Sequence, residues 1–143
     1  IFVRGNKEGK GKLIYSDGVV YEGNFKKDRM EGIGKIIYEK GNEYKGEFLD
    51  NLMHGKGVIT FVDGSSYKGA FLNGQYNGEG IFTFPDGTYY KGEFKDGYRD
   101  GKGALRYIDN TIQSGIFKNG DFIGEITITF PDGTVQKQKV QED

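Results

Sequence analysis

Three lysines, Lys45, Lys68 and Lys91, recur at intervals of 23 residues, each directly after a tyrosine. Equally spaced cations on one surface could meet anionic lipid headgroups or an acidic partner. Five aspartates, Asp17, Asp63, Asp86, Asp109 and Asp132, follow the same rhythm and invite comparison with a carboxylate pair or a row of metal ligands. His54 is the one imidazole, and Gly78-Glu79-Gly80 is one of several Gly-x-Gly triplets that resemble fragments of a phosphate loop.

The elements that must carry these residues decide between the readings. The stretch from Tyr67 to Tyr89 is copied along the chain with starts at Tyr21, Tyr44, Tyr67, Tyr90 and, degraded, Gln113. A fixed period of this length signals a repeat array. Residues 1–20 read as a copy lacking its first three positions, followed by copies at 21–43, 44–66, 67–89 and 90–112. A degenerate C-terminal copy and cap occupy 113–143, so that 1–143 form a single array.

Within a copy, Tyr, Gly and Phe at positions 1, 3 and 5 alternate with period two, as do Gly, an aliphatic or Phe, and an aromatic at positions 14, 16 and 18. Both stretches are strands. Phe84-Pro85-Asp86-Gly87 and its equivalents are hairpin turns in which glycine takes the positive φ. The expected fold is all-β: an elongated, single, curved antiparallel sheet of tandem 23-residue β-hairpin repeats.

Repeat spacing then answers the chemical questions. Aspartates one copy apart lie ~10 Å from each other by strand spacing, too far to share a cation at ~2.4 Å from each ligand, and turn formation accounts for them. His54 sits where other copies have Glu31, Asn77 and Asp100, as a surface loop residue would. No helix follows Gly-x-Gly to receive a phosphate. We therefore expect no enzyme, no cofactor and no metal.

Pairing Tyr38 with Tyr44 sets Ile36 against Gly46 and Gly34 against Phe48, and a wider loop within each copy sets Tyr21 against Tyr38. One sheet face would then carry three ladders. One is aromatic; the second alternates Ile36, Ile59 and Phe82 with Gly46, Gly69 and Gly92; the third alternates Phe2, Phe25 and Phe48 with Gly11 and Gly34. Rings lying over bare glycine backbone allow a one-layer sheet to build a thin core. On the opposite face stand Lys45, Lys68 and Lys91, with Glu47 and Glu93 two residues on. Val58, Ala70, Ile81, Ala104 and Ile116 form an apolar strip there, with Val58 opposite Ala70 and Ala104 opposite Ile116. An exposed apolar strip marks a contact surface. These five residues, with Tyr44, Tyr67 and Tyr90 at the lip of the curve, are the candidate partner-binding set, and the three lysines are the lipid-binding alternative.

Composition narrows the classes further. Twenty-five glycines in 143 residues exceed the usual share of roughly 7%, and most recur at fixed places, so each marks a position that excludes a side chain. Twenty basic and 21 acidic residues leave a net charge of −1, with no global pull towards nucleic acid. Without cysteine there is no disulfide or thiolate chemistry. No apolar run approaches the ~18 residues of a membrane span. Because the first residues already lie inside a repeat, a longer parent protein is expected. Gln136 and Gln138 replace the next Tyr and Gly, and Lys137 and Lys139 would discourage edge pairing.

Tyr-x-Gly-x-Phe, then Gly-x-Gly, an aromatic and Asp-Gly at this period resembles the membrane occupation and recognition nexus repeat, the MORN repeat. The resemblance covers essentially all of residues 1–135 and is complete in Tyr44 to Ser66 and Tyr67 to Tyr89; Phe stands where the family often has Trp. Leucine-rich repeats would need a leucine ladder, and choline-binding repeats a tryptophan, of which there is none. What the resemblance implies is a row of hairpins forming a curved, grooved sheet that serves as a non-enzymatic scaffold for another protein's peptide or helix, or for a second copy as a homo-oligomer. It also implies two alternatives: a peripheral module for phosphoinositides or phosphatidic acid, and a targeting or regulatory appendage of a larger enzyme. The location it implies is cytoplasmic, beside a membrane or the cytoskeleton.

Overall fold

A computed structural model describes residues 2–3 and 6–140, and the side chains from residue 7 onward. The Phe2 ring expected in the third ladder and residues 141–143 of the cap lie outside the described residues. The strands are β1 (Phe2–Val3), β2 (Asn6–Lys7), β3 (Gly9–Ile14), β4 (Val20–Lys26), β5 (Arg29–Ile37), β6 (Glu43–Leu49), β7 (Leu52–Thr60), β8 (Ser66–Leu72), β9 (Gln75–Thr83), β10 (Tyr89–Lys95), β11 (Tyr98–Arg106), β12 (Ile112–Lys118), β13 (Asp121–Thr129) and β14 (Val135–Lys139). From β3 to β14 each strand pairs antiparallel with its sequence neighbours in one 12-stranded open sheet, and β1 and β2 form a small ribbon. The all-β array of tandem hairpins read from the sequence is the observed architecture.

Two kinds of turn alternate along the sheet. Between copies, the Gly87 N–H donates to the Phe84 carbonyl at 3.0 Å and the Phe84 N–H to the Thr88 carbonyl at 2.7 Å, with Gly87 at φ 95°. Within copies the link is only two residues, as in Asp96-Gly97 at φ 51° and 88°. These paired positive angles are those of the hairpin turn whose twist matches the flanking strands. The within-copy loop is therefore the tighter one, contrary to expectation. Each tight turn also ties to the copy before it: Gly74 N–H donates to the Met53 carbonyl at 2.9 Å, and Gly97 N–H to the Tyr76 carbonyl at 3.0 Å.

Turn closure corrects the expected register by two residues. Tyr38 N–H bonds the Asn42 carbonyl at 2.8 Å, so Tyr38 closes the turn, and Ile36 faces Tyr44 while Gly34 faces Gly46. On its other side Gly34 faces Gly23, and Tyr21 faces Ile36. A two-residue slide keeps every side chain on its predicted face, but it changes the partners. Glycine is stacked on glycine from Gly11 to Gly115. Beside this bare column runs a ladder of tyrosines alternating with Leu13, Ile36, Ile59, Phe82 and Leu105.

The bare column exists because the tyrosine rings lie on it. A Cβ at Gly23 would stand 2.5 Å from Gly34 Cα and 2.7 Å from the Tyr21 hydroxyl, and one at Gly80 would stand 2.6 Å from the Tyr67 ring. Ring coverage of glycine is thus real, but it runs along the tyrosine's own strand and diagonally across, instead of to the residue directly opposite. Tyr21, Tyr44, Tyr67 and Tyr90 are 0% exposed. Their edges meet phenylalanines of their own and the next copy, as Tyr44 meets Phe48 and Phe71 at 5.1 Å.

A bulge completes the unit. Pairing jumps from Gly69↔Gly80 to Phe71↔Tyr76, so one residue, Ala70, spans three on β9. Gly78 absorbs the bend at φ 96°. The Tyr67 hydroxyl donates to the carbonyl of Ala70 at 2.7 Å, and Tyr21, Tyr44 and Tyr90 do the same for Asn24, Glu47 and Glu93. The first glycine of Gly-x-Gly makes the bulge and the second accepts the ring.

Candidate functional site on the lysine face

Outward residues of the same strands form one continuous rung line: Lys35, Lys45, Val58, Lys68, Ile81, Lys91, Ala104 and Ser114, each opposite the next. Lysine and aliphatic side chains therefore alternate strand by strand from β6 to β11. The expected pairs Val58–Ala70 and Ala104–Ile116 do not form, because the two-residue slide sets Val58 against Lys68 and Ala104 against Ser114. Ala70 instead faces Lys56, and Ile116 faces Lys102 and Ile123.

This face is hollowed. A groove of about 510 Å³ crosses β6 to β10, with Lys45, Lys56, Lys68, Lys91 and Glu79 around Val58, Ala70 and Ile81. A second hollow of about 1060 Å³ continues over β3 to β6 and shares Lys45. Lys45, Lys68 and Lys91 are exposed and form no salt bridge among the described residues. Lys35 is held by Glu43 at 3.1 Å. Glu47 and Glu93, expected to weaken the lysine field, are occupied: each accepts a backbone N–H at the bulge, from Lys56 and Lys102 respectively, at 2.6 Å.

The candidate residues separate accordingly. Val58, Ala70 and Ile81 are half-buried in the groove, with Lys45, Lys68 and Lys91 among them. Ala104 continues their line. Ile116 lies outside the groove at 41% exposure, in a separate hollow with Tyr98 and Ile123. Tyr44, Tyr67 and Tyr90 are a correction: they face the other side and are wholly buried, not at a lip, because their hydroxyls are drawn down to the bulge carbonyls. Burial pushes the phenol of Tyr90 up to about 12, and Tyr44 and Tyr67 further still.

The sequence reading missed Lys56 and its equivalents Lys10 and Lys102. The signal was the residue between the two glycines, in Gly9-Lys10-Gly11, Gly55-Lys56-Gly57 and Gly101-Lys102-Gly103, which must point away from the ring-covered face. All five aspartates accept the backbone N–H two residues on, at 2.8 to 3.1 Å, which is a turn role. His54 is not in a loop: it is half-buried in β7, with Nδ1 unpartnered.

A family model described as the MORN repeat matches residues 1–20, 21–43, 44–66, 67–89 and 90–112. The chain belongs to the MORN repeat family. The hairpins of β12 to β14 continue the same sheet beyond the last matched copy. No curated protein matches the sequence significantly. Among solved structures, the MORN array is similar to the SAS-4 (dCPAP) TCP domain of Drosophila melanogaster, in complex with a proline-rich motif of Ana2 (dSTIL). Identity there is 18%, over 92% of this chain and 73% of that one, with a TM-score of 0.61. It is also similar to the TCP10 domain of Danio rerio CPAP in complex with a peptide of STIL, at 19% identity over 90% and 67% of the chains and a TM-score of 0.52. Both likenesses are of fold.

Proposed function

We propose that this MORN array is a non-enzymatic protein-interaction module that seats a peptide of another protein in the groove over β6 to β10. The observation that carries the reading is the line of unpaired lysines alternating with half-buried aliphatic side chains in a hollow. Apolar side chains supply contact area and lysines supply direction and specificity. The opposite face also has hollows of about 510 and 520 Å³, near Leu13 and Ile36 and near Phe84 and Leu105, but no row of lysines lines them and the tyrosines between them are sealed in the core. Support also comes from the two domains of similar fold, both of which hold peptides.

A second reading, an anionic lipid surface, rests on the same three lysines. A recessed groove with aliphatic rungs suits a chain that enters it better than a flat headgroup plane. No helix among the described residues is long and apolar enough to cross a membrane. The test is selection from a displayed peptide library, followed by titration of selected peptides against the wild type and Ile81→Asp, with unchanged far-UV circular dichroism showing that the variant folds. Loss of at least tenfold in affinity is expected when a charge enters the apolar rung, on the order of 1.4 kcal/mol. Selected peptides that bind both proteins equally would place the site elsewhere. Co-sedimentation with phosphoinositide vesicles at physiological salt, lost on changing Lys45, Lys68 and Lys91 to Glu, would favour lipid.

A further inference from the structure

We infer that the occupant of this groove is an acidic peptide in the polyproline II conformation, carrying a carboxylate at every third residue; this rests on the peptide-binding reading above. The argument is one of period. Lys45, Lys68 and Lys91 stand on one rung line on β6, β8 and β10, each separated from the next by a single strand. Two strand spacings make that interval ~9.6 Å. A polyproline II helix has three residues per turn and rises ~9.3 Å per turn, so side chains three apart fall on one side of the ligand at the lysine interval. Over the two intervals the mismatch is only ~0.6 Å. An α-helix presenting every seventh residue advances ~10.5 Å, and over the same two intervals it drifts by ~1.8 Å.

Charge and surface agree with this occupant. Four lysines and one glutamate border the groove, in a chain whose net charge is −1. Among the described residues Lys45, Lys68 and Lys91 form no salt bridge that a ligand would have to break. Val58 and Ile81 lie between successive lysines on the same line and give the ligand's backbone an apolar floor, while the two intervening residues of each turn point to the sides. Sheet twist of roughly 20° per strand turns successive lysines by ~40°, an offset that the flexible four-carbon stems absorb.

The test is fluorescence anisotropy with three synthetic peptides on the whole chain: Pro-Pro-Glu repeated four times, a peptide of the same composition with its glutamates grouped at one end, and an alanine-rich helix with glutamate at every seventh position. The repeating peptide is expected to bind roughly tenfold tighter than the grouped one near 0.15 M salt, since only it can set a carboxylate against each of the three lysines at once. Changing Lys45, Lys68 and Lys91 to Gln is expected to abolish that preference. Equal binding of the two proline peptides, or tighter binding of the helix, overturns the spacing argument; if Ile81→Asp still removes that binding, the groove reading stands without it. Failure of all three peptides overturns the inference, and binding of anionic vesicles in their place overturns both.

Discussion

Replacing Tyr67 by Phe removes one oxygen atom from the centre of the sheet. The ring keeps its stack on Tyr76 at 3.9 Å and its edge contacts with Phe71 and Phe94 at 5.0 and 5.1 Å, so apolar burial is unchanged. What disappears is the 2.7 Å hydrogen bond to the Ala70 carbonyl, at the bulge where the regular pairing of β8 with β9 is interrupted. An acceptor left unsatisfied in a buried setting costs about 1–3 kcal/mol; Ala70 is only half-buried, which points to the lower half of that range. With a urea dependence of about 1–3 kcal/mol per molar, the unfolding midpoint should fall by roughly 0.5–1 M. Urea titration followed by far-UV circular dichroism measures it. Tyr89→Phe is the control, because that hydroxyl has no hydrogen-bond partner among the described residues and its residue lies on the other face. Equal midpoints for the two variants would refute the claim that tyrosine is needed to satisfy the bulge.

Gly80→Ala drives a Cβ into the Tyr67 ring, whereas Gly115→Ala, in the copy where Gln113 replaces tyrosine, meets only the Glu125 carbonyl at 3.1 Å and the Phe122 ring at 3.4 Å. The first change is expected to cost more than about 3 kcal/mol and the second about 1; similar thermal midpoints would show that ring coverage does not select glycine. Gly78→Ala should cost about 1–3 kcal/mol, because an L side chain is strained at φ 96°, and unchanged stability in urea would count against the bulge geometry. Burial raises the phenols of Tyr21, Tyr76 and Tyr90 to about 12, above the ~10 of the unfolded chain. The folded state therefore holds these protons more tightly, and its stability is intact below pH 10 and lost as the pH climbs through 12. Urea midpoints should fall from pH 8 to 12 as tyrosinate absorbance rises; a flat profile would contradict the burial.

The faces were legible in the sequence, and the pairing was not. Period-two alternation assigns Tyr67, Gly69 and Phe71 to one side and Lys68 and Ala70 to the other whatever the register, because a slide of two residues preserves sides. Partner choice depended on turn length. Asp96-Gly97 and Asn119-Gly120 are strong two-residue hairpin signals, but at other copies the same place holds Lys27-Asp28 and Asp50-Asn51, which hide the turn from a reading based on the shared pattern. The bulge was less visible still. It needs a positive φ at the first glycine of Gly-x-Gly and a hydroxyl three residues from the stranded carbonyl, two requirements that no single copy shows together in adjacent positions.

That bulge connects the core to the site. A sheet with one layer must bury its apolar residues on one side without a second layer, and this array does so by laying each tyrosine along a glycine column. At the far end of the ring the hydroxyl satisfies the carbonyl that the bulge leaves out of the ladder. The same bulge draws the Glu47 and Glu93 carboxylates onto the Lys56 and Lys102 amides, which leaves Lys45 and Lys91 without an acidic partner on their own strands. The tyrosine hydroxyl bond on one face and the unpaired lysine on the other thus meet at one distortion. A Glu47→Gln change separates them: the amide oxygen can still accept the Lys56 N–H, so the fold should hold, while the negative charge beside Lys45 disappears. Binding of an acidic peptide should then tighten by a few-fold at low salt, an effect that fades as salt screens the charges. Weaker binding after this change would mean that the glutamate itself touches the ligand, and that the groove reads more than negative charge.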